Sequence, residues 1–142
     1  LMPGDDLTDA LVSAAHRGVD VRILMPGIPD KKLIFRMSHS FYQVLLTEGV
    51  KIYEYAPGFI HAKGFISDDI VGAVGTVNLD YRSLFLHFEN NSLFYRAPLL
   101  ADLKADFLAT QEKCVQIQPL EAKKYSLRWI LDGILRIFAP LC

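Results

Sequence analysis

Over the first 55 residues, alternating helix and strand patterns limit what this chain can fold into. Leu7, Ala10, Leu11, Ala14 and Ala15 recur at helical spacing, Asp5 or Asp6 is placed to cap them, and Gly18 follows as a stop. Residues 19–25 (VDVRILM) read as a strand halted by Pro26 and Gly27. A second helix is predicted from about Lys31 to Glu48, with Leu33, Ile34, Met37, Phe41, Val44 and Leu45 facing inward and Gly49 closing it. Val50 to Tyr55 is the next strand. Helix, strand, helix and strand on links this short imply parallel pairing with right-handed crossovers. The predicted class is α/β, with a mixed, largely parallel β-sheet flanked by helices.

Further on, the spacing predicts a strand from about Ile60 to Ser67 and a tight hairpin at Asp68 and Asp69. A return strand from Ile70 to Val74, a loop or short helical turn over Leu79–Leu86 and a strand from Phe88 to Tyr95 come next. Pro98 then starts a long helix that ends near Cys114. Residues 1–115 form one α/β unit by this reading. Residues 116–142 form a polar link and an amphipathic C-terminal helix. The opening six residues do not read as a signal peptide.

Hydrophobic residues make up 51% of the 142, and mean hydropathy is +0.23. Buried parallel strands and the apolar tail account for the excess, since no run nears the ~20 apolar residues of a membrane-spanning helix. A net charge of −1 supplies no global basic field, so a nucleic-acid partner is not expected. Cys114 and Cys142 are far apart and lack metal-binding spacing; they read as free thiols.

Chemistry concentrates in residues 61–78. His61 and Lys63 sit two apart among strand-like neighbours, so both side chains point to one face, about 6–7 Å apart. An imidazole at phosphorus with an ammonium at an oxygen suits a phosphate, whereas a charged lysine has no lone pair for a metal. Asn78 adds an amide donor, the Thr76 hydroxyl is a candidate second donor, and Gly75 permits close backbone approach. Glu89 is a candidate to accept a hydrogen bond from one nitrogen of His61. Asp68, at the hairpin, is both a candidate catalytic residue and a candidate turn-capping carboxylate. Asp80 and Arg82 are candidates to pair and brace the Asn78 loop. His16 reads as a helix-end residue, and His39 and His87 show no ligand spacing.

Taken together, His61, Lys63, Asp68 and the run from Gly75 to Asn78 resemble the HKD signature of the phospholipase D superfamily, with Thr76 where Ser is usual. Residues 17–27 (RGVDVRILMPG), 49–61 (GVKIYEYAPGFIH), 75–83 (GTVNLDYRS) and 88–91 (FENN) resemble bacterial cardiolipin synthases in particular, as does the tail from Trp129 to Pro140. The resemblance implies a phospholipase D-like half-domain bearing one of two HKD motifs, which meet across a pseudo-twofold axis. One histidine of the pair is the nucleophile and the other the acid and base. Carried over, His61, Lys63 and Asp68 complete the motif, Lys63, Asn78 and Thr76 hold phosphate, and Glu89 orients His61. No metal or other cofactor is implied. The implied reaction joins two phosphatidylglycerols into cardiolipin and glycerol through a phosphohistidine, at the cytoplasmic side of a bacterial cell membrane. The implied partners are anionic lipid and a second HKD half, from the same full-length chain or another copy. The alternative is a single-motif homodimeric phosphodiesterase or nuclease of the same superfamily.

In the tail, Arg128, Asp132 and Arg136 are expected to form a narrow polar stripe against Trp129, Ile130, Ile134, Leu135, Ile137, Phe138 and Leu141. This face either packs on the domain or docks on a membrane surface, for which Trp129, Lys123, Lys124 and Arg128 are suited. Each basic residue near an anionic surface contributes about 1 kcal/mol. Liposome sedimentation is expected to weaken when residues after Glu121 are removed, more at low salt than at high. Equal sedimentation of both folded forms contradicts docking.

Overall fold

A computed structural model describes residues 3–29 and 32–119; the predicted tail helix lies outside them. Helix α1 spans Asp5–His16, with Asp5 and Asp6 in its first turn where the helix dipole favours negative charge. Its end is a glycine cap: Gly18 has φ +87°, Gly18 N donates to Ala15 O and Val19 N to Ala14 O. Strand β1 (Arg22–Pro26) follows, then α2 (Lys32–Thr47). The second helix closes the same way, with Gly49 at φ +92° and Val50 N donating to Leu45 O. Strand β2 (Lys51–Tyr55) returns parallel to β1, in register from Arg22 opposite Lys51 to Pro26 opposite Tyr55.

The core lies between this pair and the two helices. Ile23, Tyr42, Leu45, Val50 and Ile52 are buried together, with Leu11, Val12, Ala15 and Leu46 packed against them. On α2 the buried residues Ser38, Tyr42 and Leu45 follow helical spacing. Val44, expected inside, is 36% exposed because it falls just off that stripe. His39 is held rather than free. Its Nδ1 lies 2.8 Å from Phe35 O, its Nε2 lies 2.7 Å from Glu54 Oε1, and its ring contacts those of Phe35 and Tyr42. Burial, followed by the neighbouring Glu54 carboxylate, pushes the Tyr42 phenol well above its ordinary value.

Strands β3 (Gly64–Ser67), β4 (Val71–Gly75) and β5 (Asn91–Tyr95) form a second sheet, antiparallel throughout and ordered β3-β4-β5. The turn joining β3 to β4 is the expected Asp68-Asp69 hairpin. Both residues are left-handed (φ 53° and 58°), and Ile70 N donates to Ser67 O. Helix α3 (Tyr81–Phe85) precedes β5, and α4 (Leu99–Gln111) follows it. Strand β6 (Cys114–Gln116), which its three-residue length concealed, pairs antiparallel with β2 and completes the order β1-β2-β6.

The α/β class therefore holds, with sheets flanked by helices. The single, largely parallel sheet expected from the sequence is instead two sheets, and among the described residues parallel pairing is confined to β1 and β2. Helix α2 carries the chain across between those two strands, α4 joins β5 to β6 of the other sheet, and a two-residue turn such as that at Asp68 and Asp69 permits only antiparallel return.

Leu100 of α4 is 2% exposed and covers one face of the second sheet at Gly72. A Cβ at Gly72 would stand 2.7 Å from Leu100 Cδ2 and 3.0 Å from Phe65 O. Gly72→Ala is expected to destabilise the protein by about 1–3 kcal/mol, as overpacking does. Thermal unfolding checks this, and an unchanged midpoint would refute the contact.

Candidate active site

His61 and Lys63 lie just ahead of β3, not within it as the alternation suggested. The ladder of β3 and β4 ends at Gly64 opposite Val74. Beyond that point Gly75 N still reaches Lys63 O at 3.2 Å, and then Thr76 turns away to the β5 side, where its N donates to Asn90 O. His61 and Lys63 thus sit on a segment leaving the sheet. Gly75 makes the divergence possible, since a Cβ there would run into the Asn91 side chain and the Asn90 carbonyl.

This segment lines a groove of about 1480 Å³ that also takes in β1. His61, Lys63, Asp68 and Asn78 all border it. His61 is exposed, and Lys63 is half-buried with its Nζ donating to His61 O at 2.9 Å. Burial pulls the Lys63 ammonium below its usual range, opposed by the charges of Glu89 and Asp80. A partly desolvated cation close to its counter-charges is suited to receiving a phosphate oxygen.

The loop bearing Asn78 is secured from below. Asp80 caps α3 by accepting from Ser83 N at 2.8 Å, and Asn78 Nδ2 donates to the buried Ser83 hydroxyl at 3.3 Å. Arg82 Nε donates to His87 Nε2 at 3.2 Å, and His87 Nδ1 faces Glu89 Oε1 at 3.7 Å.

Two expected roles look different in the folded chain. Thr76 Oγ1 gives its only proton to Glu89 Oε2 at 2.5 Å and accepts from Asn90 N at 3.0 Å. Its hydroxyl therefore anchors Glu89 instead of offering a donor to phosphate. Glu89 is correspondingly engaged with Thr76 and does not meet His61. Among the described residues the His61 imidazole contacts the Phe59 ring, a neighbour that sequence reasoning passed over. The i, i+2 spacing of Phe59 and His61 was the available signal. Asp68 occupies the left-handed hairpin and accepts from the Ser67 hydroxyl at 3.3 Å. The Thr76 hydrogen bond, ahead of smaller contributions from Ser83, His87 and Lys63, holds the Glu89 carboxyl below its ordinary value of 4.5.

The lowered Glu89 value favours the folded state above pH 4.5, and that contribution fades as pH falls through the lower folded value. Thr76→Val is expected to move the Glu89 titration upward, read from its side-chain carboxyl carbon by NMR. Thr76→Ser is expected to leave it in place. An unmoved titration in the valine variant would contradict the clasp.

Comparison with known proteins follows the same outline. The family "Cardiolipin synthase, PLD-like domain" matches residues 1–110. An uncharacterised protein of Streptococcus mutans is 48% identical over 99% of this chain and 31% of its own length. A cardiolipin synthase of Halalkalibacterium halodurans is 39% identical over 99% of this chain and 28% of its own. The chain thus spans less than a third of these relatives. Among solved structures, the phospholipase D family member Nuc from Salmonella typhimurium superposes with a TM-score of 0.72, covering 82% of this chain and 76% of Nuc. At 20% identity that likeness establishes the fold alone. With the family matched over 110 of 142 residues on this fold, the chain belongs to the phospholipase D-like domains of cardiolipin synthases.

Proposed function

We propose that this chain supplies one of two HKD half-sites of a phosphatidyltransferase that joins two phosphatidylglycerols into cardiolipin and glycerol. The observation that carries this reading is that His61, Lys63 and Asn78 border one groove, an imidazole beside two donors for phosphoryl oxygens. The partner is a second HKD half, from the rest of a longer chain or from another copy, and the lipid is anionic. The working place is the cytoplasmic surface of a bacterial membrane.

In this mechanism one histidine of the pair attacks the phosphorus of phosphatidylglycerol. The P–O bond to the glycerol headgroup breaks, and the other histidine protonates the departing alkoxide. The phosphatidyl group then rests on nitrogen. A hydroxyl of a second phosphatidylglycerol, deprotonated by the same acid–base histidine, attacks phosphorus, forming cardiolipin and freeing the first imidazole. Lys63 and Asn78 bear the charge that grows on the phosphoryl oxygens.

A second reading, a homodimeric phosphodiesterase or nuclease, draws support from the single HKD motif in these 142 residues. The net charge of −1 weighs against its nucleic-acid form.

In the protein carrying both halves, His61→Ala is expected to lower conversion of phosphatidylglycerol vesicles to cardiolipin by on the order of 10³-fold or more. The fold should persist by circular dichroism. Undiminished turnover in a folded variant refutes the assignment. Mass in solution with DNA and lipid assayed side by side separates the readings. A dimer that cleaves DNA and leaves phosphatidylglycerol untouched favours the second.

A further inference from the structure

Each of the other three histidines faces a carboxylate: His16 with Glu48 at 2.7 Å, His39 with Glu54 at 2.7 Å and His87 with Glu89 at 3.7 Å. His61 does not. Among the described residues its ring nitrogens have no hydrogen-bond partner, and its ring lies instead against that of Phe59. The centroids are 5.7 Å apart and the planes 19° from parallel. Offset stacking at this separation is attractive and directional.

The position of Phe59 is not explained by burial, because 55% of the residue is exposed. Nor does it belong to the cluster formed by Ile23, Leu45 and Ile52. It borders the same groove as His61 and Lys63. It lies two residues before His61 on the extended segment leading to β3, so both side chains emerge on one side.

The chemistry gives this arrangement a purpose. A histidine that attacks phosphorus or shuttles a proton at it needs at least one nitrogen unobstructed and its ring held in one orientation. A hydrogen bond orients the ring but occupies a nitrogen. A stacked ring constrains the imidazole plane and leaves both nitrogens open. We propose that Phe59 is a positioning residue that sets the orientation of the His61 imidazole by stacking, a task the sequence pointed to Glu89 to perform. The functional importance of that orientation rests on the reading of His61 given above.

The test uses the 142-residue protein with ring-labelled histidine, followed by NMR. In the parent protein the His61 ring protons are expected to carry a ring-current displacement, and its χ1 couplings to report one dominant rotamer. Phe59→Ala is expected to abolish the displacement and average the couplings, with the signals of His16, His39 and His87 and the melting temperature unchanged. Phe59→Tyr is expected to retain both. Unchanged His61 signals in Phe59→Ala, or averaging that the tyrosine fails to prevent, overturn the proposal.

In the protein carrying both halves, Phe59→Ala is expected to lower kcat by about 2- to 10-fold, the value of one aromatic stack, with KM unchanged. Rescue by tyrosine supports positioning. A change in KM alone overturns it in favour of direct substrate contact. If the stack collapses in Phe59→Ala while His61→Ala retains full turnover, the stack stands and the functional reading of His61 fails.

Discussion

Burial of β2 against α2 is the constraint on which the rest of the structure depends. Ile52 and Leu45 have no exposed surface, and Val50 has 2%. Removing a side chain of this size from such a core costs about 2–5 kcal/mol, a large fraction of what a domain this small has in reserve. Strand β2 is also bonded on both edges, parallel to β1 and antiparallel to β6, so its backbone groups are satisfied while its side chains meet α2. The glycine caps at Gly18 and Gly49 matter for the same reason. Each ends a helix sharply a short link before the strand it must feed, which keeps the helices over the sheet.

The site grows from the end of a ladder in the other sheet. While β3 and β4 pair, hydrogen bonding fixes the direction of every side chain. Once Thr76 leaves for Asn90, residues 59–63 are released from that ladder, apart from the bond accepted by Lys63 O. Compensating contacts then hold the functional groups: the Phe59 stack on His61, the Lys63 ammonium on a backbone carbonyl, and the Ser83 hydroxyl under Asn78. The clasp between Thr76 and Glu89 joins the two departing chain segments and keeps a carboxylate close enough to Lys63 to favour its charged form. Positioning by several modest contacts leaves His61 and Lys63 accessible, which a closed ladder at the same residues would not.

The second sheet has an apolar face of its own. Phe65, Ala73 and Leu93 are partners in one row, on the face opposite the Gly72 side covered by Leu100. Phe65 and Leu93 remain 51% and 71% exposed. An exposed apolar row of this kind suits the second half-site of the function proposed above.

What the sequence determined by itself is local. Apolar spacing and glycine stops defined α1, β1, α2 and β2. The adjacent aspartates defined the hairpin, and the pattern from His61 to Asn78 pointed to the family. These features involve residues near one another along the chain, so each is written in a short window. Tertiary structure decided the rest. Whether Thr76 faces a phosphate or Glu89, whether Glu89 meets His61 or His87, and whether residues 114–116 form a strand all depend on segments brought together from afar. Strand β6 exists because Tyr53 to Tyr55 present an edge to it, not because residues 114–116 prefer to be extended. Likewise the role of Thr76 follows from its meeting with a residue 13 positions later. A hydrogen bond goes to the partner that folding places within reach, and residue types alone do not specify that distance.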